Sequence, residues 1–334
     1  MPYSPVQAMY SNEQLNGIAS LFGLDASAFR ELTVGSTWMG RRYAVTTAAG
    51  MFFLKVRSEW WPVEQAEQVC ALVKHLHSHD FPVAAHRLTA EGKPFALWEG
   101  HICECHEFVE GQALTPDDLD HNSAAGHALS RFHSLTRTHS PACGQLPEGC
   151  GYPRPGHVQF FYDRVRSIFA DEVGALATLE RVSDALTALD PEAIGTSRLE
   201  DIAGHGDYHP ANLIFHDGEV AAVCDFDFFQ RAARAYDIAY FLYRTAGVSS
   251  RGGGGPVRLE RGVSRAFLNG YENAATSPSV PRDAIAREFL RVAWYNCLLL
   301  ANNTQEPDKF EEWATDTVAL EGDVELWVTE ANEV

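Results

Sequence analysis

The chain has 334 residues, of which 46% are hydrophobic and 21% charged. This is the composition of an ordinary globular protein, and the length favours two domains. Asp and Glu number 45 against 26 Lys and Arg, so the formal net charge is −19. Such an acidic chain argues against partners that need a basic surface, namely nucleic acids and anionic membranes. It is compatible with a cationic ligand, although acidity also serves solubility alone.

The N-terminal segment and the cysteines indicate the compartment. Residues 1–11 lack the basic segment and apolar run of a signal peptide. The sequence contains no stretch of about 18 apolar residues, so we expect no membrane span. The seven cysteines are an odd number, scattered along the chain without a CxxC pair. This pattern favours reduced thiols over a disulfide framework or a structural zinc site, so we expect a cytoplasmic protein.

Up to residue 109 the sequence predicts mainly strands, with two helices. Ser11 and the three residues after it match a capping box that begins a helix, which Gly23 would end. Pro62 opens a second helix. The predicted strands lie at 43–47, 51–56, 84–88, 95–98 and 101–109. The first two flank Ala48-Ala49-Gly50 and predict a hairpin. We therefore expect a mixed α/β domain over residues 1–109.

Beyond Gly111 the pattern changes to helices. The predicted helices lie at 122–137, 158–170, 173–189, 258–274, 282–303 and 308–331. One β-rich segment interrupts them at 213–226, where Asp217-Gly218 stands between two apolar runs and predicts a hairpin. The sequence thus predicts a mostly helical domain over residues 110–334.

The segment His205-Gly-Asp-Tyr-His-Pro-Ala-Asn212 carries the most chemistry. It places a carboxylate, Asp207, five positions before the carboxamide of Asn212, directly ahead of the predicted hairpin. The second strand of that hairpin ends in Asp225-Phe226-Asp227. Phosphoryl transfer needs these groups: one carboxylate accepts the proton of an attacking hydroxyl, while an Asn and a second carboxylate hold magnesium on the nucleotide phosphates. We expect the hairpin to bring Asn212 and Asp225 together.

These motifs, in this order, resemble those of the aminoglycoside phosphotransferase and choline kinase superfamily, small-molecule kinases with a protein-kinase-like fold. The matching segments are 205–212, 225–227 and 236–239, with a weaker match at 126–133. The first has His-Gly-Asp where protein kinases have His-Arg-Asp. The resemblance spans roughly residues 30–245 and implies an α+β, two-lobe fold. A small lobe with an antiparallel sheet and a helix would bind the nucleotide, and a larger helical lobe would bind the acceptor.

The resemblance also implies roles for residues of the larger lobe. Asp207 would be the catalytic aspartate, and Asn212 and Asp225 the magnesium ligands. Supporting roles would fall to His205, Asp227 and Asp237. His205 would brace the catalytic loop, and Asp237 would tie the following helix to that loop. Asp227 could either help to hold the metal or face the substrate.

Lys55 stands alone among the apolar residues of its strand, and a buried Lys needs a partner. The resemblance implies that it contacts the α- and β-phosphates of ATP and pairs with a helix glutamate. Glu64 and Glu67 are the candidates, and Glu64 is favoured because it lies closer to the apolar stripe of its helix. The alternative is a surface lysine whose stem lies along the protein.

Two further segments of the smaller lobe would contact the nucleotide. The turn at residues 34–40 would donate backbone N–H groups to the phosphates through Gly35, Ser36 and Thr37. It is not a Walker A loop, because Arg41-Arg42 follows where Lys-Ser/Thr would stand. The Glu107 carbonyl and the Val109 amide would bind adenine, unless this segment is a plain strand end.

The predicted reaction moves the γ-phosphoryl group of ATP, bound with Mg²⁺, to a hydroxyl of a small molecule. Acidic residues cluster beyond Gly111, which favours an amine-bearing acceptor such as an aminoglycoside or an amino alcohol, although charge runs are usually solvated helix faces. Residues 225–229 are also similar to the homoserine-kinase and stress-response-kinase branches, so homoserine-like acceptors and protein Ser/Thr stay open. Rivals of other classes are a nucleotide-binding pseudokinase module and a metal enzyme built on His205, Asp207 and His209.

Overall fold

The computed structural model describes residues 10–32, 39–137, 155–190, 201–245, 259–274 and 279–332. The chain forms two compact units, one of Met1–Gly111 with Ala221–Cys224 and one of Gln112–Val220 with Asp225–Val334. In the ranges that the structure describes, no helix is long and apolar enough to cross a membrane.

The first unit is built on a five-stranded antiparallel sheet in the order β1-β2-β3-β5-β4. Its strands are β1 (Ala26–Glu31), β2 (Gly40–Thr47), β3 (Gly50–Arg57), β4 (Phe95–Trp98) and β5 (His101–Glu107). The strands β2 and β3 form the predicted hairpin, closed where Thr47 lies opposite Gly50. The sequence did not predict β1 as a separate strand.

Helix α1 (Asn12–Leu21) covers one face of this sheet, and its buried Leu15 and Ile18 join a core with Leu54 and Val56 of β3. The predicted capping box is confirmed. The Gln14 amide donates to Ser11 Oγ (3.2 Å), and the Ser11 amide donates to Gln14 Oε1 (2.9 Å). Side chains alternate along a strand, so the residues between the two β3 core positions face the opposite side.

The predicted strand at 84–88 is wrong as a regular element. Only His86 forms a bridge, with His106 on β5. The Arg87 amide donates to the Cys105 carbonyl (2.8 Å), and the Glu107 amide donates to the Ala85 carbonyl (3.0 Å). Strand β4 already pairs with the first part of this β5 edge, from residue 101 to 104. The remaining edge is therefore long enough for only a few residues.

The second unit is mainly helical and confirms the helices predicted there. They are α3 (Leu119–Thr136), α4 (Pro155–Ile168), α5 (Val173–Ala188), α6 (Arg234–Thr245), α7 (Arg261–Ala274), α8 (Arg282–Thr304) and α9 (Pro307–Asn332). Only α6 was absent from the predicted set. Helices α3 and α7 approach closely at two glycines: a Cβ added to Gly126 would lie 2.0 Å from the Phe267 carbonyl oxygen, and one on Gly270 would lie 2.0 Å from that of Ser123.

Short strands frame the motif-bearing segments. They are β6 (Gln112–Ala113), β7 (Asp201–Gly204), β8 (Leu213–His216), β9 (Glu219–Val223) and β10 (Gln230–Ala233). The turn between β8 and β9 has φ of 50° at Asp217 and 82° at Gly218, as a type I′ hairpin requires, so the predicted Asp-Gly hairpin is confirmed. Strand β7 pairs with β10, which leads directly into α6.

Candidate active site

The loop that follows β7 is held by one buried carboxylate at the start of α6. The two oxygens of Asp237 accept hydrogen bonds from the backbone amides of His205 (2.8 Å) and Gly206 (2.9 Å). Burial by itself raises the pKa of Asp237, but hydrogen bonds from His133 and the loop outweigh it and bring the pKa below its ordinary value. The carboxylate therefore stays ionised and fixes the loop to the helix.

His133 connects this anchor to two other helices. Its Nε2 lies 3.1 Å from Asp237 Oδ2, and its Nδ1 lies 2.9 Å from the hydroxyl of Tyr271. His133 belongs to α3 and Tyr271 to α7, the two helices that pack through glycines. The position of the loop thus depends on the packing of three helices.

The loop itself requires a glycine. Gly206 has φ of 79°, and a Cβ at this position would lie 2.1 Å from the carbonyl oxygen of Phe228. His205 is fully buried, with its ring 4.8 Å from that of Phe226, and its Nδ1 accepts a hydrogen bond from the Asp207 amide (3.3 Å). These contacts fit the bracing role expected for His205. In the described residues no three His, Cys, Asp or Glu side chains meet as a metal site would need.

Asp207 is half-buried, and several side chains fix its carboxylate. Asn212 Nδ2 donates to the Asp207 carbonyl (2.9 Å) and to Oδ2 (3.1 Å). His209 Nε2 lies 3.4 Å from the same Oδ2. Because His209 Nδ1 accepts a hydrogen bond from the Ala211 amide, the ring proton belongs on Nε2, which faces the carboxylate. The ring of Tyr240 packs edge-on against that of His209, with 6.1 Å between the ring centroids.

The amide of Asn212 has one oxygen left for another ligand. Both bonds from this side chain use Nδ2, so Oδ1 is the atom that remains for a cation. Carboxylate and amide oxygens are the protein ligands that magnesium prefers, usually completed by water and substrate phosphates. The residues present therefore fit a magnesium–nucleotide complex.

The two carboxylates after β9 differ in exposure. Asp225 is partly exposed and has φ of 61°, a left-handed conformation that is uncommon for a residue other than glycine. Such conformations concentrate at functional sites. Asp227 is only 1% exposed and lies in the short 3₁₀ helix Phe226–Phe228. Of the two, Asp225 is better placed to meet a ligand from solution.

In the first unit, Lys55 belongs to a polar row that crosses three strands. Arg42 on β2 stands directly opposite Lys55 on β3, and Lys55 stands directly opposite Glu104 on β5. All three side chains are buried. Directly opposite residues share a face of the sheet, and this face is opposite to the α1 core. The burial of Lys55 contradicts the surface-lysine alternative.

Arg57 lies on β3 two residues after Lys55, so it is on the same face of the sheet. Its Nε and Nη2 donate to the two carboxylate oxygens of Glu104, at 3.2 and 2.9 Å. Burial by itself raises the pKa of Glu104, but the charges of Arg57 and Lys55 outweigh it and hold the pKa at about 2. A carboxylate that is ionised at neutral pH thus lies opposite Lys55 in the sheet.

The helix α2 (Val63–His77) has a different phase from the one expected. Its buried residues at the N-terminal end are Gln65 and Ala66, whereas Glu64 and Glu67 are exposed. The apolar stripe continues from Val69 to Ala66 and Gln65, which lie three and four residues earlier. The expectation that Glu64 lies close to this stripe is therefore wrong. The buried carboxylate opposite Lys55 is Glu104, which the sequence reasoning missed.

The remaining predicted nucleotide contacts are placed in part. Gly35, Ser36 and Thr37 lie outside the described residues. Glu107 is the last residue of β5, and Val109 follows in extended chain. Within the described ranges no group accepts a hydrogen bond from the Val109 amide, which leaves it available to a ligand.

Comparison with known proteins identifies the family. A model of the phosphotransferase enzyme family (APH) matches residues 32–277, well over half of the chain. The chain belongs to this family. The resemblance inferred from the motifs at 205–212, 225–227 and 236–239 is confirmed, and the protein is a phosphotransferase that acts on a hydroxyl group.

Its curated relatives include kinases with different acceptors. The homoserine kinase of Caulobacter sp. (strain K31) is 25% identical over 269 residues, which are 78% of this chain and 76% of that protein. Stress response kinase A of Salmonella typhi is 28% identical over 166 residues, which are 48% of this chain and 47% of that protein.

Solved structures of APH kinases share the fold. An aminopropanol kinase associated with a microcompartment has a TM-score of 0.70 at 17% identity, covering 95% of this chain and 97% of its own. An aminoglycoside phosphotransferase of Alicyclobacillus acidocaldarius has a TM-score of 0.68 at 15% identity, with 99% and 98% covered. Amicoumacin kinase hAmiN, in complex with AMP-PNP, Ca²⁺ and its ligand Ami, has a TM-score of 0.67 at 16% identity, with 92% and 93% covered. The predicted α+β, protein-kinase-like fold is confirmed.

Proposed function

We propose that this APH-family enzyme transfers the γ-phosphoryl group of ATP, bound with Mg²⁺, to a hydroxyl of a small amine-bearing molecule. The observation that carries the proposal is the constrained Asp207 carboxylate, half-buried and hydrogen-bonded to Asn212. A carboxylate fixed in this way can align an acceptor hydroxyl and take its proton as the new P–O bond forms.

The neighbours of Asp207 would hold it in place during this step. Asn212 and His209 both face Oδ2, which limits rotation of the carboxylate. Asn212 Oδ1 and Asp225 would hold Mg²⁺. Bound there with the nucleotide, the metal ion neutralises negative charge on the phosphoryl group.

The first unit would bind the nucleotide. Lys55 would contact the α- and β-phosphates, and we propose Glu104 rather than Glu64 as the carboxylate that orients it, since Glu104 stands opposite Lys55 in the sheet. The Glu107 carbonyl and the Val109 amide would bind adenine. The turn with Gly35, Ser36 and Thr37 would donate amides to the phosphates.

The acceptor class is inferred from charge and from the relatives. The chain carries 45 acidic residues against 26 basic ones, which disfavours nucleic acid and favours a ligand with an amine. Several similar proteins are named for acceptors that carry both an amine and a hydroxyl, namely homoserine, aminopropanol and aminoglycosides. The described cysteines are free thiols, which supports a reducing compartment such as the cytoplasm.

ADP release from Mg-ATP, measured over a panel of amino-hydroxy compounds and a Ser/Thr peptide, tests this function. We expect release that depends on one acceptor class, with the phosphorylated product detected by mass spectrometry. ATP binding without transfer to any acceptor would instead indicate a pseudokinase module. Release that depends only on the peptide would indicate a protein kinase.

Replacing Asp225 by Asn is expected to raise the dissociation constant of Mg-ATP by at least about tenfold, because one carboxylate ligand of the metal is lost. Isothermal titration with a non-hydrolysable ATP analogue, with and without Mg²⁺, measures the effect. Asp217→Asn is the matched control, since Asp217 lies exposed in the hairpin turn just before β9. Equal Mg-ATP affinity in the Asp225 variant and the control would contradict the role of Asp225.

A further inference from the structure

Helix α6 presents a line of residues next to the catalytic carboxylate. Tyr236, Tyr240 and Arg244 follow one another at intervals of four, so they lie on one side of the helix. The rings of Tyr236 and Tyr240 stack at 5.8 Å. Four residues of helix rise by about 6 Å, so this line extends well beyond Asp207.

Tyr240 is the member of this line that contacts the catalytic loop. Its ring lies 6.1 Å from that of His209, whose Nε2 lies 3.4 Å from Asp207 Oδ2. Tyr240 is half-buried, so part of its surface faces solvent beside the carboxylate. An acceptor hydroxyl at Asp207 would therefore have the Tyr240 side chain close by.

Arg244 is the next residue in the line, one helical turn further. Its side chain is exposed, and no hydrogen bond or ion pair joins it to another residue in the described part of the chain. Burial and the charge of Asp207 raise the pKa of Tyr240, whereas the charge of Arg244 lowers it. The charges of both Asp207 and Arg244 therefore act on the Tyr240 hydroxyl.

Arg244 also lies in the last turn of α6, where a cation stabilises the helix dipole. That role needs only a positive charge and is worth little at an exposed position. It does not explain why the arginine follows Tyr236 and Tyr240 on the same side of the helix. A guanidinium can donate two parallel hydrogen bonds to a carboxylate. Stabilising a helix dipole does not require this pair of hydrogen bonds.

We propose that Arg244 binds a carboxylate of the acceptor whose hydroxyl lies at Asp207. The acceptor class is then a short hydroxy amino acid, rather than an amino alcohol that is purely cationic. Tyr240 separates the two groups and packs along the carbon chain between them. This inference rests on the proposed phosphotransfer at Asp207 and narrows its acceptor.

Three acceptors that differ by one group test the inference: L-homoserine, 4-hydroxybutyrate, which lacks the amine, and 3-amino-1-propanol, which lacks the carboxylate. For the wild-type enzyme we expect kcat/KM to be highest for a compound with a carboxylate. Arg244→Gln should lower kcat/KM for the carboxylate compounds by about 10- to 100-fold, through a higher KM, as expected for the loss of a charge-assisted contact. For 3-amino-1-propanol it should change kcat/KM by less than about twofold.

Two other variants separate recognition from charge and stability. Arg244→Lys should recover only part of the lost activity, because lysine keeps the charge but not the paired hydrogen bonds. Arg181→Gln removes an exposed arginine from α5 and should leave all three kcat/KM values unchanged. Equal loss for all three acceptors in Arg244→Gln, or a rise in the KM for ATP alone, would overturn the inference.

The same panel separates this inference from the proposed function. Transfer to 3-amino-1-propanol but not to either carboxylate compound would overturn the role of Arg244 and leave the kinase assignment intact. If no hydroxyl compound increases the turnover of Mg-ATP, both the role of Arg244 and the kinase assignment would be overturned.

Discussion

Replacing Asp207 by Asn is expected to lower kcat by about 10²- to 10⁴-fold while the fold and ATP binding stay unchanged. The amide has nearly the same shape as the carboxylate but cannot accept a proton from the acceptor hydroxyl. Asp207 is half-buried and its carboxylate is not the anchor of the loop, which is held by Asp237. Its loss should therefore affect the reaction more than the structure.

Single-turnover transfer to the best acceptor measures this effect, with the dissociation constant of the ATP analogue and the melting temperature as companion measurements. Asp217→Asn is again the control, because it makes the same chemical change at an exposed turn. Turnover within about tenfold of the wild type in the Asp207 variant would remove Asp207 from the catalytic role, since a general base contributes more than that.

Local sequence patterns predicted those parts of the fold that depend on short-range chemistry. The capping box at Ser11 and the hairpin at Asp217-Gly218 form as expected, because each depends on residues within four positions of one another. The segment from His205 to Asn212 is similar: the bond between Asn212 and Asp207 spans five residues. The candidate catalytic residues could therefore be named from the sequence alone.

Contacts between distant elements were not predictable in the same way. Residues 84–88 have a strand-like pattern, but β4 occupies part of the β5 edge that they would need. Tyr240 lies beside His209 of the loop, to which Asp237 ties α6. The sequence shows that Tyr240 is three residues after Asp237, which places both on one side of a helix. It does not show where that helix lies relative to the loop.

The partner of Lys55 illustrates the same limit. The apolar stripe of α2 was recognised from Val69 onwards, yet its continuation runs through Gln65 and Ala66, which leaves Glu64 exposed. Glu104 stood in the sequence between two cysteines of a predicted strand. Only the strand register, in which Lys55 faces Glu104, shows that the buried lysine lies beside that carboxylate.

Replacing Glu104 by Gln is expected to lower the free energy of unfolding by about 3–5 kcal/mol, because it leaves the buried guanidinium of Arg57 without its anion. Both side chains are almost fully buried, at 2% and 1% exposure, and joined by two hydrogen bonds. Glutamine keeps the volume of the side chain, so packing changes contribute little. Urea unfolding followed by circular dichroism at pH 7 measures the loss.

The pH dependence of stability should change in the same variant. The pKa of Glu104 is held at about 2, below the ordinary value of 4.5, so its contribution is complete above pH 4.5 and is lost as the pH falls towards 2. The free energy of unfolding of the wild type should therefore fall more steeply over this range than that of Glu104→Gln. Parallel pH profiles would show that the carboxylate is not stabilised by its neighbours.

The matched variant Glu64→Gln decides which glutamate serves Lys55. Glu64 is exposed, so its replacement should change stability by no more than about 0.5 kcal/mol and leave the KM for ATP unchanged. Glu104→Gln should raise that KM, because the ammonium of Lys55 loses the charge opposite it in the sheet. A higher KM for ATP in Glu64→Gln, with no change in Glu104→Gln, would restore the helix glutamate as the partner. The reverse result would show that this enzyme orients its nucleotide lysine from within the sheet.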